Sequence, residues 1–303
     1  MTLNESAQIE ANLLEQRADA WCCSISSMAG TRILDCGVKA NGGLQAGLQL
    51  AKICLAGLGE VSLIPGAGGP MVQVYSDQPV RACLASQYAG WQIKVGSFFG
   101  MGSGAMRAAY GSEKIFEHLL GGRETPSHAV GVLETKQCPT EEAIAYICQR
   151  IKLPTDRLTL AVAPASSIAG TIQVVARSLE TALHKLHELH FDLTTIVSGY
   201  GTAPLPPVAN NEGKAIGWTN DAILYGGHVV LWVRCEDEVV SEIGPKVPSS
   251  SSSDHGVPFG ELFKRYQGDF YKIDPLLFSP AVVEFRNMKT GRVQVFGRFE
   301  PNI

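Results

Sequence analysis

Apolar residues along the chain recur at two spacings, and the changes between them mark out its elements. Ile9, Leu13 and Leu14 stand among charged residues at helical spacing behind a polar cap, which predicts an opening helix over 4–22. A second helix, rich in Ala, Leu and Gly and therefore closely packed, is predicted over 44–58. Further helices are predicted over 81–88, 103–109, 141–151, 171–190 and 259–266. Short apolar runs bounded by turn residues predict strands at 33–36, 61–64, 71–75, 129–133, 158–163, 195–198, 229–234, 281–285 and 293–296. Strands and helices do not alternate regularly, so the pattern predicts an α+β fold rather than a doubly wound sheet. We expect two layered mixed α/β domains with a substrate cleft between them, divided approximately as 1–125 and 126–303 or as discontinuous units. The polar stretch 121–128 and the stretch 199–211, with its three prolines, are the candidate linkers. The serine run at 249–253 reads as a flexible surface loop or as a loop that closes over a ligand.

Composition narrows the class. With 45% hydrophobic residues in 303, the chain can bury a substantial core. A net charge of -4 lacks the basic footprint of a nucleic-acid binder. The longest apolar stretches, such as 158–164 and 229–233, are far short of the roughly 18 residues of a membrane span. The first residues show no secretory pattern, and we expect a cytoplasmic protein. Eight cysteines are scattered through apolar segments without a Cys-x-x-Cys pair, which predicts reduced thiols.

Candidate chemistry lies in a few segments. Arg177 and Glu180 are three apart on a predicted helix, so a guanidinium can orient a carboxylate and keep it ionised, as water activation requires. The plain alternative is an amphipathic surface helix with one ion pair, worth roughly 0.2–0.5 kcal/mol. In the stretch 87–107 an aromatic-rich strand leads into a glycine-rich turn and a helix start. Gly102, Ser103 and Gly104 in that turn, with Lys94 and Arg107, suit an oxyanion or phosphate, and a tight packed turn suits them equally. The glycine spacing matches neither nucleotide-loop pattern. Thr219, Asn220 and Asp221 lie between glycines and suit a heterocycle with donors and acceptors, or an Asx-type turn. Lys272, with Asp274, marks either a packed turn or a pocket edge. His184, His187 and His190 lack the i,i+4 spacing of a zinc helix, so no metal is expected, and no Gly-x-Ser-x-Gly elbow suggests a serine nucleophile.

Seven segments, taken in order, resemble methenyltetrahydromethanopterin cyclohydrolases. They are Asp35-Cys-Gly-Val, Gln87-Tyr-Ala-Gly-Trp-Gln-Ile-Lys, Gly100-Met-Gly-Ser-Gly-Ala-Met-Arg, Ala163-Pro-Ala-Ser-Ser-Ile-Ala-Gly, Ala176-Arg-Ser-Leu-Glu-Thr-Ala, Thr219-Asn-Asp and Asp269-Phe-Tyr-Lys-Ile-Asp-Pro. The resemblance implies a cytoplasmic homotrimer of one-carbon metabolism, in methanogens or formaldehyde-oxidising bacteria, without a metal or redox cofactor. It implies a pterin substrate, hydrolysed reversibly from the methenyl to the 5-formyl form. The family's catalytic Arg and Glu match Arg177 and Glu180, and Lys94 and the Gly-Ser-Gly turn match segments of its pocket. The loop around Asn41-Gly-Gly, the serine run and Gly226-Gly-His depart from the archaeal pattern, which points to a bacterial member. A methenyltetrahydrofolate cyclohydrolase and a noncatalytic pterin-binding protein are the alternatives; a nicotinamide dehydrogenase conflicts with the glycine spacing.

Overall fold

A computed structural model describes residues 1–118, 122–268 and 272–300. The chain forms two compact units, one of Met1–Gly59 with Arg81–Gln173, the other of Glu60–Val80 with Val174–Ile303.

The first unit contains strands β1 (Ser24–Met28) and β2 (Thr31–Asp35) and helices α1 (Leu3–Gln16) and α2 (Leu44–Cys54) from its opening segment. Strands β5 (Trp91–Val95), β6 (Phe98–Ser103), β7 (Ala129–Glu134) and β8 (Leu158–Ala163) complete a sheet of order β1-β2-β8-β7-β6-β5. In it β2, β8 and β7 run parallel and the outer pairs antiparallel. Helices α3 (Met106–Tyr110), α4 (Lys114–His118), α5 (Glu141–Ile151) and most of α6 (Ile168–Val175) belong to this unit, with a π-helical segment at Val80–Gln87. Local signals set these helices. Thr2 and Glu5 form a reciprocal capping box on α1, and the Thr140 hydroxyl accepts from Ala143 N at the start of α5. The core joins Ile93, Phe98, Leu133 and Leu160 of the sheet to Ile144 and Ile147 of α5.

The second unit's sheet has the order β12-β11-β10-β9-β4-β3. Its strands are β3 (Glu60–Gly66), β4 (Gly69–Ser76), β9 (Ile196–Pro204), β10 (His228–Val233), β11 (Val282–Asn287) and β12 (Val293–Gly297), antiparallel except for β10 with β11. Helix α7 (Ser178–Glu188) packs on β9, β10 and β4; α8 (Glu212–Gly226), α9 (Asp237–Ile243) and α10 (Phe259–Arg265) follow.

The α+β class stands, and several boundaries move. A cut at 125/126 would separate β6 from β7, which are hydrogen-bonded neighbours, whereas the β3–β4 hairpin pairs with β9 and so leaves the first unit. The stretch 199–211 is no linker, because Gly199 to Pro204 lie inside β9. The helix predicted over 171–190 breaks at 176–177, giving α6 and α7, and the opening helix ends at Gln16. The serine run is tied down: Ser249 Oγ donates to Leu224 O at 2.5 Å, Ser252 Oγ to Asp274 at 2.5 Å and Ser251 Oγ to Pro248 O at 2.8 Å.

Candidate active site

Arg177 is the N-cap of α7, in which the break after α6 leaves Glu180 in the first turn. A carboxylate there meets the positive end of the helix dipole, a stabilising position for a charge. The helix is buried on most sides: Ser178, Leu179, Glu180, Ala182, Leu183, Lys185 and Leu186 are all inside. Arg177 is 7% and Glu180 4% exposed, so the surface-helix alternative fails. Arg177 Nη1 stands 3.8 Å from Glu180 Oε2, a charge contact beyond hydrogen-bond reach. A Cβ on Gly201 of β9 would come within 2.6 Å of Ser178 Oγ and 3.1 Å of Leu179 N, so glycine is what lets the first turn of α7 lie directly on the sheet.

Two residues of α7 carry signals that sequence reasoning passed over. The Ser178 hydroxyl, between the two charged residues, is buried without a hydrogen-bond partner among the described residues. Lys185 is fully buried; its ammonium reaches the Leu276 carbonyl and donates to Ser251 Oγ at 3.0 Å, pinning the serine segment to the helix. Burial pulls its pKa down to about 8, against the raising effect of Asp274. A lysine among Leu183 and Leu186 was the available hint.

The glycine-rich stretch has a different occupation. Gly100 and Gly102 lie in β6, where a Cβ on Gly102 would meet Met106 Cε at 2.9 Å and Ile93 Cδ1 at 3.0 Å. Gly104, at φ +86, donates its amide to Ser86 O, and Ser103 Oγ lies 3.2 Å from the Cys54 thiol in the interior. Arg107 is 1% exposed and donates to both oxygens of Glu113 at 2.9 and 2.5 Å, and to the carbonyls of Leu84 and Ser86. Its guanidinium also lies 5.0 Å from the Tyr88 ring centroid. These contacts make it a strut of the first unit, so the anion-binding role expected of Arg107 does not fit. Packing likewise accounts for Gly102, Ser103 and Gly104. Lys94 differs, being exposed on β5, the edge strand, opposite the exposed ring of Phe99.

Thr219, Asn220 and Asp221 are in α8, not in a turn, so the Asx-turn reading is also corrected. Asn211 caps this helix, and its internal glycines, which suggested a loop, allow close packing: a Cβ on Gly217 would lie 3.2 Å from Gly260 of α10. Thr219 and Asn220 donate to the carbonyls of Ala215 and Ile216 one turn back. Asp221 accepts from Phe259 N at 2.7 Å, capping α10, and burial pushes its pKa up to about 6 against that hydrogen bond. Lys272 is exposed; Asp269, Phe270 and Tyr271 of its segment lie outside the described residues. His184 and His187 lie late in α7, and among the described residues no group of His, Cys, Asp or Glu could hold a metal. No described helix is long and apolar enough to cross a membrane.

The buried Arg177 and Glu180 lie in a chain whose family is known from comparison with other proteins. The family model "Cyclohydrolase (MCH)" matches residues 2–303, and the chain is a member of that family. It is 47% identical over 285 residues to the methenyltetrahydromethanopterin cyclohydrolase of Rhodopirellula baltica, covering 91% of this chain and 86% of that protein. The protein of the same name from Methylobacillus flagellatus is 43% identical, with 91% and 85% covered, and that from Methanococcoides burtonii 38%, with 99% and 91% covered.

Proposed function

We propose that this chain hydrolyses 5,10-methenyltetrahydromethanopterin reversibly to the 5-formyl form, with Glu180 handling the protons. The methenyl bridge is a cationic amidinium carbon, electrophilic without further activation. The water oxygen bonds to that carbon as Glu180 takes one proton. Glu180 then passes that proton to the departing nitrogen as the C–N bond breaks, and the remaining hydroxyl proton leaves as the formyl carbonyl forms. The carboxylate also attracts the cationic ring, an effect that grows where water is scarce. Arg177, 3.8 Å away, orients the Glu180 carboxylate. The observation that carries this reading is the burial of both residues in a chain of this family.

The same reading makes Lys94 and Lys272 contacts for anionic parts of the pterin tail. It makes the protein a cytoplasmic homotrimer of one-carbon metabolism, serving formaldehyde oxidation or methanogenesis, that needs no metal or redox cofactor. Light scattering on the purified chain tests the trimer. The function is tested by following the methenyl absorbance of methenyltetrahydromethanopterin, with methenyltetrahydrofolate in parallel. Rapid loss with the methanopterin substrate is expected. Turnover of the folate alone would move the assignment to that pterin, and binding without turnover would make the protein a carrier.

A further inference from the structure

The β1–β2 hairpin ends on the pair Ser24–Asp35, and the next position along that register places Cys23 opposite Cys36. The Cys36 amide donates away from the hairpin, to Val162 O of β8 at 2.9 Å, and the Cys23 amide donates to Ala18 O at 2.8 Å. Neither bonds across the hairpin, so the two cysteines occupy a non-hydrogen-bonded position. Facing residues approach most closely there, with Cα atoms about 4.5 Å apart, inside the roughly 4.4–6.8 Å span of disulfides. Both are free thiols; the Cys23 thiol donates to Trp21 O at 3.6 Å and the Cys36 thiol to Leu34 O at 3.7 Å. We infer that Cys23 and Cys36 form a dithiol modification site that small peroxides oxidise to a cross-strand disulfide.

The two thiols are unequal in a way that suits the chemistry. The neighbouring Cys36 holds the Cys23 thiol below its ordinary range, against burial and Asp35, while Cys23 and burial push Cys36 well up. Cys23 is 8% exposed and Cys36 0%, so the oxidant must be small and Cys23 reacts first. Its sulfur attacks one peroxide oxygen, the O–O bond breaks, and the departing hydroxide takes a proton and leaves as water. Cys23 is then a sulfenic acid. The Cys36 sulfur attacks the Cys23 sulfur, the S–S bond forms, and the sulfenic hydroxyl leaves with the Cys36 proton as a second water. Two electrons pass from the thiols to the peroxide. The new bond fastens β1 to the base of the loop that follows β2, where Asp35 accepts from the amides of Gly37, Val38, Lys39 and Ala40 and Gly42 N donates to Cys22 O.

The test is to treat the purified full chain with a few equivalents of hydrogen peroxide, block remaining thiols after denaturation, and map tryptic peptides without reduction. Cleavage after Arg17, Arg32 and Lys39 puts Cys36 on a different peptide from Cys23, which shares its own with the exposed Cys22. The expected result is a cross-link between these peptides in most chains, undiminished in Cys22→Ser and reversed by dithiothreitol. In Cys36→Ser, dimedone labelling of Cys23 should rise several-fold over the unsubstituted chain. Peroxide that leaves Cys23 and Cys36 alkylatable, or a cross-link that disappears in Cys22→Ser, would overturn the inference.

Discussion

Arg107 and Arg177, one in each unit, are both buried beside a glutamate, and the contacts they make differ. Arg107 meets Glu113 through two hydrogen bonds at 2.9 and 2.5 Å and spends further donors on backbone carbonyls. Arg177 stands 3.8 Å from Glu180, with both side chains less than 10% exposed. A buried charge is tolerated when its partners repay its desolvation, and Arg107 has that compensation in full. A carboxylate fixed by so complete a set of bonds is a poor proton carrier. The Arg177–Glu180 contact at 3.8 Å is not such a two-bond fork, and under the proposed function Glu180 is the carboxylate that carries the proton.

The largest expected effect breaks or secures this contrast. Glu180→Gln keeps the size and loses the base, so turnover of the methenyl substrate should fall by about 10²–10⁴ while the unfolding midpoint stays near that of the parent chain. Near-normal turnover would remove Glu180 from the chemistry. Arg107→Met should show the reverse pattern. It leaves Glu113 and two carbonyls without their donor, a loss of about 3 kcal/mol in denaturant unfolding, at the low end for a broken buried pair because Glu113 is partly exposed. A stable variant with a raised KM would return Arg107 to the substrate site.

Sequence pattern exposed the two regions to different degrees. Strand β8 and helix α5 lie where periodicity put them, since a short, wholly buried apolar run and a capped amphipathic stretch each determine their own structure. Arg177 and Glu180 were legible as a pair, but their burial was not. It depends on β9 lying beneath the helix with glycines at 199 and 201, a contact between residues distant in sequence. Helix α8 was missed because Gly213 and Gly217 weaken its local propensity, and the reason for Gly217 is Gly260 of another helix. The serine run looks flexible by composition, yet the hydroxyls of Ser249, Ser251 and Ser252 find partners that composition cannot reveal. The β1–β2 hairpin was missed too, although its register brings Cys23 and Cys36 together.

A smaller effect sharpens the comparison through pH. Asp221 caps α10 inside the second unit, and its folded pKa of about 6 lies above the ordinary 3.8. Between those values the folded chain holds more protons than the unfolded one. Its contribution to stability is therefore fully present below about pH 4 and lost as pH rises through about 6. Asp221→Asn should remove that decline, seen as a flatter slope of unfolding midpoint against pH from 4 to 6. If the slope is unchanged, the carboxyl is not protonated by burial.

Lys94 provides the smallest and most selective test. Its ammonium lies on an exposed edge strand beside Phe99, where water already solvates it, so any contact with an anionic tail gains little over solvent. For Lys94→Ala we expect KM to rise about two- to fivefold with kcat nearly constant, the pattern of an interaction equal in ground and transition states. Added salt should shrink the difference, because exposed charges are screened within about 10 Å at 0.1 M. A fall in kcat would instead make the Lys94 contact one that strengthens in the transition state. An unchanged KM at low salt would leave the first unit without a sequence-predicted contact to the substrate, since Gly102, Ser103, Gly104 and Arg107 are already occupied by the fold.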